Sequence, residues 1–168
     1  MLSLHNKFMR GTKLDVGVGL LLTAFVGLIA VMIVGPARQL AAERDAVRTE
    51  DVRGLMTKIL QLELVDPEAY TRLEAAVQQA GDLRTVIGYG DCAGSFGREC
   101  ADAVTSDSCL SLAEFFPDLL LASVPVDPAE GRYSAERTGY YLVTVAGELE
   151  VGACGAAKGP ITLRKAFE

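Results

Sequence analysis

Cysteine is the residue type with most to offer chemically in this sequence: Cys92, Cys100, Cys109 and Cys154. Their spacings are too long for a CxxC-type zinc knuckle. The only histidine, His5, is separated from them by a long apolar run. A zinc site of the usual Cys/His kinds would have to use cysteines alone. A Ser/His/Asp or Cys/His nucleophilic centre in the main domain is excluded for the same reason. An even number of cysteines, all beyond the apolar run, instead suits disulfides in an oxidising compartment. Four cysteines allow three pairings. The favoured one joins Cys92 to Cys100, closing a short glycine-rich loop, and Cys109 to Cys154, tying that loop to the last strand. Closing a long loop contributes about 3–4 kcal/mol in the chain-entropy model, less any strain.

Other chemistry is sparse. Glu148 and Glu150 could pose as a hydrolase pair, but alternate positions of a strand usually form one solvated face. Tyr140 and Tyr141 suit packing better than a ligand platform. No phosphate loop is present, so any mechanical work needs an external source, and no cofactor is expected. The net charge is −6, with no basic cluster beyond the first residues. An acidic surface is poorly suited to neutralising phosphates, which argues against nucleic acid as the main partner.

The elements that position these groups start with the apolar run. Val16 to Val34 carries no charge and no proline, and it can cross a ~30 Å hydrocarbon core as a helix. Its glycines allow close approach of another helix. A cleaved secretory signal fits less well, because the run is long and "GPARQL" is a poor cleavage site. Lys7, Arg10 and Lys13 precede the run, but Arg38, Arg44, Arg48 and Arg53 follow it, so basic residues alone do not orient it. The cysteines place the C-terminal domain outside the cytoplasm. The expected organisation is a cytoplasmic leader (1–15), a transmembrane helix (16–35) and an extracytoplasmic domain (36–168).

From Ala37 to about Val65 only Gly54 weakens a helical reading. Val52, Leu55, Met56, Ile59 and Leu62 form an amphipathic stripe. Arg48–Asp51 and Glu50–Arg53 place opposite charges at i,i+3 on what reads as the outer face. The two helical stretches could be one rod, bent near Pro36. A second helix is expected over about 67–80, with Asp66 as N-cap, Pro67 at the first position and Gly81 after the end. The segment through the first three cysteines reads as a loop. "SLAEFFPDLL" predicts a short helix with Ser111 as cap and Glu114 three residues on. In "GYYLVTVAGELEVGAC" two strands flank Ala146-Gly147, with Tyr141, Val143 and Val145 on one face. "ITLRKAFE" is a candidate further strand. The fold class is therefore α+β: a long N-terminal helix, transmembrane in its lower half, packed against a small antiparallel sheet.

This order of features resembles the type IV pilins and the pseudopilins of type II secretion. "RDAVRTEDVRGLMTKI" is similar to the family's "RDAxRxxDLxxIxxAL", "SVPVDP" (Ser123–Pro128) to its "SLPxDP", and "TGYYLVTVAGELEVGA" to its aromatic-rich hairpin. The likeness covers roughly residues 15–154. Family precursors are cut after a glycine ahead of a start such as "FTLIEL". Here Gly11 follows a basic leader and is followed by Thr12 rather than Phe, so the implied processing bond is Gly11–Thr12. The family's assembly carboxylate is a glutamate, thought to pair with a neighbour's N-terminal amine. The only acid in that region is Asp15, the fourth residue after the cut. Some relatives hold calcium in a β-region loop, which makes Asp127, Glu130 and Asp91 weak oxygen-ligand candidates. Ordinary turn chemistry at Asp127-Pro128 is the simpler account.

The resemblance implies a structural subunit and not an enzyme, stored in the membrane and assembled by helix packing into a filament that can reach the cell surface. Its partners would be the lipid bilayer, other pilin-like subunits and inner-membrane assembly machinery. The alternative is a fixed single-pass binding module, whose loop over 88–109 recognises a ligand and which never polymerises.

Overall fold

The computed structural model describes residues 5–89, 109–116, 123–129, 131–157 and 161–166, with side chains throughout except over 5–16 and 30–35. Two compact units divide the chain, Met1–Ala41 and Ala42–Glu168. Helix α1 spans His5–Val65 with Pro36 inside it, so the proline does not end the helix.

In the first unit, the side chains described over 17–29 are all exposed. They include Leu20, Leu21, Phe25 and Val26, each more than half accessible. The one hydroxyl, Thr23, donates to the carbonyls of Gly19 and Leu20 at 2.8 and 3.0 Å. This surface therefore presents no unsatisfied polar side chain. No helix is long and apolar enough to cross a membrane among the described residues.

The second unit is built on the C-terminal part of α1. All five stripe residues, Val52, Leu55, Met56, Ile59 and Leu62, are buried. Burying each such side chain contributes roughly 1.5–3 kcal/mol, which explains why this part of the helix is fixed. Helix α2 (Pro67–Gln79) follows after a single residue. The Asp66 side chain accepts from the Ala69 N–H at 3.0 Å, which satisfies one of the donors a helix start leaves open. Gly81 lies just past the end at φ +65°. Ala69, Tyr70, Leu73 and Val77 bury one face of α2 in the same core as the stripe.

Four strands form one antiparallel sheet in the order β1-β2-β3-β4: β1 (Thr85–Val86), β2 (Tyr140–Val145), β3 (Glu148–Ala153) and β4 (Ile161–Ala166). β2 and β3 join through Ala146 and Gly147, at φ 53° and 80°. Positive φ at both positions is the two-residue hairpin geometry whose twist matches that of the strands. β4 extends the sheet, with Val151 opposite Leu163. The register places Leu142 opposite Val151 and Tyr141 opposite Gly152. Tyr140, Leu142, Leu149 and Val151 thus face the helices, while Tyr141 and Val143 form a separate cluster on the other face.

Two expectations need correction. The described part of "SLAEFFPDLL", residues 111–116, holds a 3-10 turn over Leu112–Glu114, and Ser111 makes no side-chain cap bond. Glu150 is not on a solvated face: it is 4% exposed.

Candidate functional site

The best-defined polar assembly of the second unit centres on Arg48. This residue stands four positions before Val52, so it continues the buried stripe by one helical turn. It is buried, at 3% exposure. Its Nε donates to Asp127 Oδ2 at 2.7 Å and its Nη2 to Asp127 Oδ1 at 2.8 Å. This two-point fork matches the planar guanidinium to the carboxylate. Nη1 donates to Asp45 Oδ1 at 2.8 Å.

The surrounding chain completes the node. Asp127 also accepts from the Ala129 N–H at 2.9 Å, a local turn bond that Asp before proline readily makes. The Ala157 N–H donates to Asp45 at 3.2 Å. Gly155 lies so close that an added Cβ would sit 2.9 Å from Arg48 Nη2, so glycine is what lets the backbone approach the ion pair. Tyr140, fully buried on β2, donates its hydroxyl to Asp51 of α1. Three carboxylates spaced along α1 and the 123–129 segment thus bind that segment, β2 and the chain after β3 to one helix.

Arg48 and Tyr140 both keep their protons through the physiological range. The bond to Asp127 holds Arg48 above its ordinary value despite the opposing effect of burial. Burial, then the bond to Asp51, raises Tyr140 well above its ordinary value. Neither group could donate or accept a proton in general acid–base chemistry near neutrality.

A second cluster sits on the opposite sheet face. Arg164 Nε donates to Glu150 Oε2 at 2.7 Å and the Tyr141 hydroxyl to Glu150 Oε1 at 3.2 Å. The Arg84 guanidinium lies 4.5 Å from the Tyr141 ring centroid, in cation–π range. Burial pushes Tyr141 up to about 12. A third contact ties β4 to α1: Lys165 donates to Glu63 and lies over the Tyr70 ring at 4.9 Å.

The sequence-based candidates are distributed unevenly. Asp127 is in the node with both carboxylate oxygens on Arg48, whereas Glu130 and Asp91 lie outside the described residues. Among the described residues no group of three or more His, Cys, Asp or Glu could hold a metal. Gly11, Thr12 and Asp15 fall within α1, where only the backbone is described. Cys109 and Cys154 are each disulfide-bonded; Cys92 and Cys100, on which the expected pairing turns, lie outside the described residues. Arg48 does not share an outer face with Asp51. Both turn to other partners, because the stripe that buries Val52 buries Arg48 too. The Glu50–Arg53 pair is on the surface as expected, at 2.8 Å.

Comparison with family models, curated proteins and solved structures finds no match for this chain.

Proposed function

We propose that the chain is a structural subunit of the type IV pilin or pseudopilin kind, held in a membrane by the N-terminal part of α1 and assembled by packing of that segment between copies. The observation that carries this reading is the contrast within α1. Residues 17–29 expose large apolar side chains with their one hydroxyl bonded back to the helix. Val52, Leu55, Met56, Ile59 and Leu62 bury theirs in the core shared with α2 and the sheet. An exposed surface of the first kind is stable only against another apolar medium. Lipid tails and sister helices both qualify, so a subunit could move from one to the other without rebuilding the helix.

On this reading the N-terminus is cytoplasmic and the second unit extracytoplasmic. The partners are the bilayer, other pilin-like subunits and inner-membrane machinery that supplies the work. The Arg48 node supports the reading as a brace, since it fixes the small domain to the helix through which force would pass.

Intact-mass and N-terminal peptide mass spectrometry on protein extracted from native membranes, without reductant, tests the processing step. The expected result is a mature chain beginning at Thr12. A chain that retains its residues through Gly11 would sink the processed-subunit reading in favour of a fixed anchored binding module.

A further inference from the structure

The chain leaving β3 runs over the Arg48 node. Cys154, the first residue after the strand, is disulfide-bonded. Its side chain packs against Tyr141 and Val143, on the sheet face away from the helices. Its N–H donates to the Gly139 carbonyl at 2.9 Å, which joins the backbone entering β2 to the backbone leaving β3. Asp127 sits between these two pieces. A Cβ added at Gly139 would lie 2.8 Å from Asp127 Cβ, and one added at Gly155 would lie 3.1 Å from Asp127 Oδ2. Both approaches need glycine, and the Asp127 side chain between them has no accessible surface. Two residues beyond Gly155, the Ala157 N–H reaches Asp45, the other acceptor of Arg48. Residues 154–157 thus form a short strap, tied to the disulfide at one end and to α1 at the other.

The two ends are unequal. Ala157 is exposed and its bond to Asp45 is 3.2 Å long, a contact that water competes for. The end at Cys154 is covalent and limits how far the strap can move when its hydrogen bonds open. We infer that the Cys154 disulfide is a redox-sensitive latch on the Arg48–Asp127 pair. Oxidised, it holds the strap closed over the pair; reduced by a dithiol, it releases the strap and lets water reach the two charges. In the reduction a thiolate of the dithiol attacks one sulfur of the bond, and the second thiol then resolves the mixed disulfide. Two electrons and two protons convert the cystine to two thiols, and the dithiol leaves as a disulfide. A pair that is strong only when shielded from water weakens once solvated. The tie between the 123–129 segment and α1 is therefore complete only in the oxidised chain. This inference goes beyond the filament reading and does not depend on it.

Amide hydrogen exchange of the full-length chain in detergent, with and without dithiothreitol, tests this. Reduction is expected to speed exchange at Cys154, Ala157 and Asp127 about tenfold, the ratio that corresponds to 1.4 kcal/mol of local opening. Exchange from Val52 through Leu62 should keep its rate. Cys154→Ser without reductant should reproduce the pattern, and dithiothreitol should then add nothing at Ala157. Protection at Ala157 and Asp127 that survives both reduction and Cys154→Ser would overturn the latch. An equal rise from Val52 through Leu62 would also overturn it, because reduction would then unfold the unit as a whole. Neither readout depends on polymer formation, so failure here leaves the filament reading standing.

Discussion

Two arginines of α1, five residues apart, have opposite fates. Arg53 and Glu50 form an i,i+3 pair in solvent, with side chains 61% and 75% exposed. Arg48 is buried and divides its donors between Asp45 on its own helix and Asp127, 79 residues along the chain. In the sequence the two look alike, each with an acid three positions away. The difference lies in which helical face each occupies and in whether a loop carboxylate returns to meet it. A surface pair adds a few tenths of a kcal/mol, whereas a buried pair must be complete, because either half alone is an uncompensated charge.

Removing one side of the buried pair should break this comparison most sharply. Arg48→Ala is expected to cost about 3–5 kcal/mol by denaturant unfolding of the full chain. Arg48→Met combined with Asp127→Leu should recover much of that loss, a coupling that a double-mutant cycle reads directly. Glu150→Ala comes next. It leaves the buried Tyr141 hydroxyl without its acceptor, at about 1–3 kcal/mol.

Tyr141 also sets an alkaline limit. Its folded-state value is raised to about 12 from the ordinary 10.0, first by burial, so folding favours the neutral phenol. That contribution is complete below pH 10 and is lost as pH rises from about 10 to 12. The thermal midpoint should fall across that window, and Tyr141→Phe should flatten the part of the fall that Tyr141 causes. A smaller gain is expected from Ala146→Asn, about 0.5–1 kcal/mol, because asparagine tolerates the positive φ of that hairpin turn better than alanine does. Arg53→Ala should be smallest, within about 0.5 kcal/mol. A loss comparable to that of Arg48→Ala would erase the distinction between the two arginines.

The parts of the fold legible in the sequence are those governed by neighbours along the chain. Asp66, Pro67 and Gly81 bound α2 through capping and backbone rules alone. Ala146-Gly147 marks the hairpin because strand-like residues flank it, and the stripe from Val52 to Leu62 reveals its burial by spacing. Contacts between distant segments were not legible. β1 is two residues long and takes its identity from pairing with β2, so no alternation announces it. The hairpin pattern shows two faces without showing which one meets the helices. Asp127 reads as a turn residue, and it is one, but nothing local points to Arg48. Spacing does offer a clue, since Arg48 lies at i−4 from Val52 and so extends the stripe. Glu150 looks solvated until Arg164 and Tyr141 are brought beside it.

The central claim is that this chain works as a polymer through α1, and the most direct measurement looks for the polymer. Native membranes and the fraction sheared from cells would be examined by immunogold electron microscopy, using an antibody raised against residues 42–168. The account predicts gold along regular thin filaments, lost when Val26→Asp puts a charge on the exposed apolar surface of α1. Gold confined to membranes as single particles, unchanged by that substitution, would contradict it.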